Sequence, residues 1–263
     1  MQSDPLFSIL IPTWNNLAYL QLCQKALVEN SAFQHEVIFH VNEGTDGTLD
    51  WVKENRFKFT HFEKNIGICR SLNAAFTQAT CKWIVYMNDD MYVLPGWDKA
   101  LHKAIREQPE ELFMLSSTMI EHTDTGNNCV VIGDFGKSLA GFSEAELLAA
   151  AKKLSMDNWN GATWPPSLIS REAWEKVNGY SEEFSPGMYS DPDLSMKLWQ
   201  AGCRNFQGVG SSLVYHFQAK STSKIVKNDG RKQFIKKWGI TPSTFYKYYL
   251  RSPHKFSPQS ITK

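Results

Sequence analysis

Two adjacent carboxylates stand directly after a strongly apolar segment near the middle of the first half of the chain. Residues 83–87 (WIVYM) have the composition of a buried strand, and Asn88, Asp89 and Asp90 follow without a gap. Adjacent carboxylates repel each other and are costly to bury, so they are usually tolerated where a cation lies between them and a ligand. Ligands of α/β sheets gather at the carboxyl ends of strands. The run therefore predicts a metal–diphosphate site, with a solvated turn rich in Asp and Asn as the alternative.

A second acidic pair, Asp191 and Asp193, lies in the second half of the chain. Asp191 precedes Pro192, and an Asp before a Pro is a good N-cap with the Pro at the first helical position. Local features alone favour this capping role over catalysis. A carboxylate at a helix N-terminus nevertheless stays ionised, because the helix dipole and the free N–H groups stabilise the anion. Asp191 is therefore also a candidate base at neutral pH.

Four polar loops follow the first four predicted strands or lie near their ends, and we expect them to converge on one edge of the sheet. They span residues 12–16, 42–48, 65–73 and 88–90. Gly44 and Gly47 permit close backbone approach, and Asn and Asp side chains can bond a base and a ribose. The sequence contains neither GxGxxG nor GxxxxGK[ST], so a dinucleotide fold or a P-loop is not indicated.

His216 follows the apolar stretch 213–215. A lone His at a strand end is most often structural. It would ligate a metal or donate to a phosphate only if the fold brings it close to Asp90.

Strands and helices alternate over the first hundred residues, which predicts a largely parallel α/β sheet wrapped by helices. Strands are expected at 7–11 (stopped by Pro12), 35–41, 57–62, 83–87, 112–119 and 129–132. Helices are expected at 16–29, 49–55, through 72–76, at 142–154, at 170–177 and from 191 to near 202. Ser143 and Glu146 have the spacing of a capping box at the start of the fourth of these helices.

Composition describes an ordinary globular protein with room for one large domain or two small ones. The chain has 263 residues, 42% of them hydrophobic. No apolar run is long enough to cross a membrane, and no signal peptide is expected. The five cysteines are odd in number and lack CxxC spacing, which favours reduced thiols and a cytoplasmic location over disulfides or a zinc site.

Charge is distributed unevenly along the chain. Residues 219–263 hold eleven Lys or Arg against one acid, a net charge of +10, whereas the preceding residues carry −9. This tail is also rich in aromatic residues. Such a composition suits an anionic surface, for example a membrane. The alternative is a basic tail that packs back on an acidic body.

Taken together, these motifs resemble glycosyltransferase family 2, the inverting nucleotide-sugar transferases of the GT-A fold. The resemblance covers roughly residues 7–218 and depends on the order of the motifs. They are Ile9-Leu10-Ile11-Pro12-Thr13-Trp14-Asn15-Asn16, the loop 42–48, Asn65-Ile66-Gly67 with Asn73, Asn88-Asp89-Asp90, the run 179–184, Ser190-Asp191-Pro192-Asp193-Leu194 and His216.

The resemblance implies an α/β, Rossmann-like GT-A fold with a mixed, mostly parallel central sheet flanked by helices. It implies a catalytic domain at 1–218, divided into a nucleotide-sugar-binding half (1–97) and an acceptor-binding half (98–218). Residues 219–263 would form a basic, aromatic C-terminal extension.

The resemblance also assigns roles to individual residues. Asp90 would ligate Mg²⁺ or Mn²⁺, His216 would complete the metal or diphosphate site, and Asp191 would be the general base. Asn42, Glu43 and Asn88 would lie near the base and ribose of the donor. The full expected donor-binding set is Pro12, Thr13, Asn15, Asn42, Glu43, Asp46, Asn65, Gly67, Asn73, Asn88 and Asp89.

An inverting transfer is consistent with this division of labour. In-line displacement at an anomeric carbon needs one carboxylate opposite the leaving group. A metal can stabilise the departing diphosphate without a general acid. Three positions depart from the family pattern: Asn42 and Asn88 replace the common Asp, and Ser190 replaces the common Glu.

The expected function is transfer of a sugar from a UDP-, GDP- or dTDP-sugar to a glycan or lipid-linked acceptor, in polysaccharide or glycolipid assembly. The expected location is the cytoplasm, with possible membrane contact through the basic tail and no nucleic-acid partner. Two alternatives are a nucleotide-sugar-binding protein without turnover and a nucleotidyltransferase. The second is disfavoured because residues 12–16 contain neither a basic residue nor a glycine.

Overall fold

The computed structural model of the protein describes residues 4–219 and 227–257. The strands in chain order are β1 (Phe7–Trp14), β2 (Glu36–Asn42), β3 (Lys58–Phe62), β4 (Trp83–Tyr86), β5 (Met91–Val93), β6 (Phe113–Glu121), β7 (Val131–Ile132), β8 (Trp159–Asn160), β9 (Ser167–Ser170) and β10 (Asn205–His216). The α-helices are α1 (Leu17–Asn30), α2 (Thr48–Glu54), α3 (Gly67–Phe76), α4 (Trp97–Arg106), α5 (Glu144–Ala150), α6 (Arg171–Lys176), α7 (Ser190–Gln200), α8 (Gly230–Trp238) and α9 (Pro242–Thr244). A π-helical turn, Phe245–Tyr249, continues α9.

Within these residues the strands form one mixed sheet. The main path is β3-β2-β1-β4-β9-β6-β10-β5, with β7 beside β6 and β8 beside β10. The first four strands pair in parallel, β9 lies antiparallel between β4 and β6, and β10 runs parallel to β6. The predicted fold class, a mixed and mostly parallel sheet flanked by helices, is confirmed.

Alternate residues of the central strands point to opposite faces, and both faces are buried. Ile9 and Ile11 of β1 pack with α1 and α4 in one core, whereas Leu10 packs with α3 and α6 in a second core. Side chains alternate with a period of two along a strand. A strand that is covered on both sides therefore reads as the continuous apolar run seen at residues 7–11.

Pro12 does not stop β1, contrary to the sequence-based expectation. The strand continues to Trp14 and pairs with β2 throughout. On its other side, the pairing of β1 with β4 ends at Leu10, whose carbonyl still accepts from the N–H of Met87. Pro12 is the next residue of β1 whose backbone groups face that side. Because β4 no longer pairs with β1 there, the missing N–H of Pro12 costs no hydrogen bond of the sheet.

Three further details of the second half differ from the prediction. The strand expected at 129–132 is only Val131–Ile132, and the helix expected at 142–154 is α5 followed by a 3₁₀ turn, Ala151–Lys153. The capping box does not form, because the Ser143 N–H that Glu146 would accept already donates to the carbonyl of Phe135.

The described part of the basic tail packs against the body of the protein. Phe234, Phe245 and Leu250 are fully or almost fully buried in the second core. Lys237 pairs with Glu183 and Asp193. For residues 227–257 the structure therefore corresponds to the alternative in which the tail folds back on an acidic body. No helix among the described residues is long and apolar enough to cross a membrane.

Candidate active site

A cleft of about 370 Å³ opens at the carboxyl edge of the parallel strands, where the four polar loops were expected to meet. The ends of β1, β2, β4 and β10, the first turn of α3 and the loop before α7 surround it. Its lining residues are Pro12, Thr13, Trp14, Asn42, Asn65, Gly67, Ile68, Asn88, Asp89, Asp90, Pro186, His216, Gln218 and Ala219.

Asp89 and Asp90 are buried at the floor of this cleft, with 8% and 6% of their surface exposed. Their burial rules out the solvated turn. The hydroxyl of Thr13 donates to Oδ2 of Asp89 at 2.6 Å. Burial and then the neighbouring charge of Asp90 raise the pKa of Asp89 to about 7. The site therefore disfavours two ionised carboxylates side by side unless a cation is bound beside them.

His216 lies beside this pair, so the fold meets the condition under which a functional role was expected for this residue. Its Nε2 is 3.5 Å from Oδ1 of Asp90, and its Nδ1 is 3.1 Å from Oε1 of Glu121. Burial lowers the pKa of His216, but Asp90 and Glu121 outweigh that effect and raise it to about 10. Without a metal the imidazolium thus partly neutralises the acidic floor, and a metal bound through Nε2 would displace the proton on that nitrogen.

Glu121 was missed by the sequence analysis. It ends β6, and the parallel register places it directly beside His216 of β10. The long apolar run before it indicated a strand, but only the pairing of two strands far apart in sequence shows which residue the glutamate faces.

Asp90 also holds the chain that follows β10. Its carbonyl accepts from the N–H of Phe217, and its Oδ2 accepts from the N–H of Ala219 at 2.7 Å. Gln218, between them, has a positive φ of 53°. Gln218 and Ala219 thereby become part of the cleft, although nothing in their residue types marks them.

The donor atoms at the floor suit a divalent cation. Two carboxylates and an imidazole are ligands of the kind that Mn²⁺ accepts, and Mg²⁺ commonly binds through one or two carboxylates and substrate phosphates. Within residues 4–219 and 227–257, no group of three or more His, Cys, Asp or Glu side chains is placed to hold a metal ion. A cation at this floor would therefore need further ligands from a bound molecule and from water.

Asn42 and Asn88, which replace the common Asp, are both occupied by internal bonds. Asn42 donates to Thr13 O and Ser71 Oγ and accepts from the N–H of Ile66. It joins β1, β2 and α3. Asn88 accepts from the hydroxyl of Tyr86 at 2.7 Å. Both line the cleft, and their amides do so without adding charge to it.

Four predicted donor-site residues do not line this cleft. Asn15 accepts from the N–H groups of Gly44 and Thr45 and donates to Glu43, whereas Asp46 accepts from the N–H groups of Leu17 and Thr48. These bonds shape the loops after β1 and β2. Asn73 bonds both backbone groups of Tyr180 and thus ties α3 to the segment before α7.

Asp191 lies outside the cleft lining but next to it, in the first turn of α7. The preceding loop, 185–189, contributes Pro186 to the cleft wall. Asp191 does not cap α7: the N-cap residue is Tyr189, and Oδ1 of Asp191 accepts from the hydroxyl of Tyr180 at 3.3 Å. Burial raises the pKa of Asp191 to about 7, against the weaker lowering effect of this bond.

Two buried tyrosines connect Asp191 with the cleft. The rings of Tyr180 and Tyr86 meet edge to face at 5.9 Å, and Tyr86 bonds Asn88. Trp14, Ile68 and Pro186 also line the cleft and were not predicted to do so. Each is a sequence neighbour of a predicted residue or lies in the loop before Asp191. This proximity is the only feature of the sequence that could have identified them as cleft residues.

Comparisons with known proteins agree with this geometry. Residues 8–128 match the sequence model of Glycosyl transferase family 2. A curated relative, the uncharacterized protein y4gI of Sinorhizobium fredii (strain NBRC 101917 / NGR234), is 24% identical over 230 residues. That alignment covers 83% of this chain but 25% of the relative, so the chain spans about a quarter of the relative's length.

Solved structures share the fold at low sequence identity. S. aureus TarS 1-349 in complex with UDP-GlcNAc is 19% identical, with a TM-score of 0.60, over 86% of this chain and 64% of that chain. GalNAc-T7 with UDP, GalNAc and Mn²⁺ is 15% identical, with a TM-score of 0.59, over 86% of this chain and 44% of that chain. Residues 8–128 of the chain therefore match glycosyl transferase family 2, and the described residues have the GT-A fold.

Proposed function

We propose that the protein transfers a sugar from a nucleoside-diphosphate sugar to an acceptor hydroxyl, with inversion at the anomeric carbon. The observation that carries this proposal is the separation of two acidic groups. Asp89, Asp90 and His216 lie at the floor of the cleft, whereas Asp191 stands alone beside it. The first group suits a charged leaving group, and the second suits a proton acceptor.

In the proposed reaction Asp191 accepts the proton of the acceptor hydroxyl. The hydroxyl oxygen then forms a bond to the anomeric carbon while the bond from that carbon to the diphosphate breaks, releasing the nucleoside diphosphate. A pKa of about 7 suits this role, because such a carboxylate is ionised near neutral pH and is still basic enough to take a proton.

Asp90 and His216, beside Asp89, would hold Mg²⁺ or Mn²⁺, and the bound ion would stabilise charge on the departing diphosphate. Thr13 fixes the carboxylate of Asp89, and Glu121 fixes the imidazole of His216. The backbone of the first turn of α3 is also at the cleft, and a helix N-terminus favours phosphate groups.

A UDP-sugar is the proposed donor, because TarS is described with UDP-GlcNAc and GalNAc-T7 with UDP and Mn²⁺. GDP- and dTDP-sugars are the competing donors. A glycan or lipid-linked acceptor and a role in polysaccharide or glycolipid assembly complete the proposal. The sugar-binding protein without turnover is the second candidate, since Asn42, Asn88 and Ser190 remove three acids from the family pattern.

Membrane contact through the tail is retained as a proposal in a narrower form. Phe234 of α8 and Phe245 of the π-helical turn pack inward, whereas Arg231, Lys247 and Tyr248 are exposed. Deleting the tail would remove core residues, so substitution of exposed cations is the appropriate test. Arg231→Glu with Lys247→Glu should weaken salt-sensitive binding to anionic vesicles, and unchanged binding would exclude this surface.

The main test measures donor hydrolysis, in which water replaces the acceptor. UDP-, GDP- and dTDP-sugars are first screened by thermal shift with and without Mn²⁺. Asp191→Asn should then abolish hydrolysis of the donor that binds while keeping its affinity. Asp50→Asn is the matched control, because Asp50 is an exposed acid in the first turn of α2 and does not line the cleft.

The outcomes separate the candidates. Binding with turnover that depends on Asp191 supports the transferase. Binding without hydrolysis or transfer by the wild-type protein supports the binding protein. Full turnover by Asp191→Asn would remove Asp191 from the mechanism.

A further inference from the structure

The loop that leads into Asp191 has a backbone conformation that its sequence does not favour by itself. Tyr189, the N-cap residue of α7, has a φ of 68°, and Gly187 has a φ of 148°. A bulky residue such as Tyr is strained in the left-handed region, so neighbouring contacts must hold it there. Pro186, in the same loop, lines the cleft, and its carbonyl accepts from the N–H of Ile68.

Asn228 holds this loop from the C-terminal side of the protein. Its Oδ1 accepts from the N–H of Met188 at 3.1 Å, and its Nδ2 donates to the carbonyl of Met188 at 3.1 Å. Gly230 also packs closely against Met188, because a Cβ added to Gly230 would lie 2.0 Å from the Met188 carbonyl oxygen. One side chain thus satisfies both backbone groups of a residue next to the strained Tyr189.

The same C-terminal segment holds the other side of Asp191. Asp193 is fully buried in the first turn of α7. Its Oδ1 accepts from Nε1 of Trp238 at 2.9 Å and lies 2.9 Å from Nζ of Lys237. Its Oδ2 has no hydrogen-bond partner within the described ranges. The orientation of this carboxylate therefore depends on contacts from α8 to a single oxygen.

These two sets of contacts are made to residues on either side of Asp191 in the sequence. Asn228 fixes residue 188, and Trp238 with Lys237 fixes residue 193. Between them lies Asp191, whose side chain accepts its described hydrogen bond from Tyr180. We call residues 228–238 the C-terminal clamp. It lies beyond the family match at 8–128, and its aromatic and basic composition was compatible with either surface contact or packing against the body.

We propose that Asn228 and Trp238 are positioning residues of the active site, which hold the segment 188–193 from both ends and thereby fix Asp191 relative to the cleft. This proposal rests on the proposed function of Asp191 as the base. A base that is displaced by about 1 Å can lose about 100-fold in rate, so the contacts matter for catalysis although neither residue lines the cleft.

The test compares Asn228→Ala and Trp238→Phe with Lys236→Ala in the full chain. Trp238→Phe keeps an aromatic ring in the second core and removes only the indole N–H. Lys236 is an exposed residue of the same helix and makes no hydrogen bond or ion pair with the described part of the chain. Two readouts are used: steady-state donor hydrolysis with Mn²⁺, and amide hydrogen exchange of residues 186–193.

For both clamp variants we expect kcat to fall about 10- to 100-fold while the donor KM changes less than twofold. Amides 186–193 should exchange faster, and amides of β1 should not change. Asn228→Asp, which keeps the acceptor for the Met188 N–H, should fall between wild type and Asn228→Ala. Lys236→Ala should resemble wild type in every measurement.

Two results would overturn the proposal: unchanged exchange of residues 186–193 in both clamp variants, or faster exchange with unchanged kcat. A wild-type protein that turns over no donor would refute the proposed function instead. The exchange measurement needs no turnover, so it would still decide whether the clamp holds the segment.

Discussion

Removing the hydroxyl of Tyr180 should shift the pH dependence of turnover without abolishing turnover. The hydroxyl donates to Oδ1 of Asp191 at 3.3 Å. Burial raises the pKa of Asp191 to about 7, and this hydrogen bond opposes the rise because it stabilises the carboxylate. Tyr180→Phe loses the donor and keeps the buried ring. The pKa of Asp191 should therefore rise further.

The size of the effect follows from the length of the bond. A hydrogen bond to a charged group contributes roughly 1.5–3 kcal/mol, and a 3.3 Å bond belongs at or below the weak end of that range. About 1.4 kcal/mol corresponds to one pH unit, so the midpoint of activity should move from about 7 to about 8. At pH 7 the ionised fraction of Asp191 would fall from about one half to about one eleventh, a loss of about fivefold in kcat.

The assay is the pH profile of kcat for donor hydrolysis. The variant should be slower than wild type at neutral pH and should reach the wild-type rate above about pH 9, where Asp191 is ionised in both. Tyr86→Phe is the matched control, because its hydroxyl bonds Asn88 while its ring occupies the same buried region. The reasoning is refuted if Tyr180→Phe loses the same factor at every pH, or if its midpoint stays at the wild-type value.

Three further predictions address stability and the metal. Asp191→Asn should stabilise the protein above pH 7 by at most about 4 kcal/mol and have little effect at pH 4. Because the pKa of Asp191 is raised in the folded protein, the wild type loses stability as pH rises from the unfolded value of 3.8 to about 7. Urea unfolding of both proteins at several pH values will measure this difference. Asp90→Ala should raise the Mn²⁺ concentration needed for half-maximal donor binding by at least about tenfold, and an unchanged thermal-shift titration would remove Asp90 from the metal site. Gly67→Ala should destabilise the protein by about 2 kcal/mol or more, because its φ is 77° and the added Cβ would lie 2.7 Å from Cα of Pro186. Gly96→Ala shares the positive φ but has no atom within 4 Å, so equal urea midpoints for the two variants would show that the contact with Pro186 does not matter.

Much of the fold could be predicted because it follows from local patterns. Apolar runs gave the four parallel strands, and the polar residues after them gave the loops of the cleft edge. Pro12 was misjudged because the tolerance for proline in a strand depends on whether the neighbouring strand continues beside it. That information lies in the pairing of β1 with β4 and not in residues 7–14.

A similar share of the candidate site could be predicted from the sequence. Asp89, Asp90 and His216 do line one cleft, which their chemistry and the strand-end rule anticipated. Asn15, Asp46 and Asn73 have the same polar character, but their side chains are used to shape loops. Residue type cannot separate these uses, because an amide or carboxylate that binds a ligand and one that binds a backbone N–H are chemically identical.

The sequence by itself determined the first four strands, β6, the order of the polar loops and the residues able to do chemistry, because these depend on short-range periodicity and side-chain type. Only the tertiary structure decided that Glu121 faces His216 and that Asp191 contacts Tyr180 without capping its helix. It also decided that the tail packs inward, where Asn228 holds Met188. These contacts join segments that are distant along the chain. Their geometry is fixed by strand register and by the burial of whole helices, which no local window of residues records.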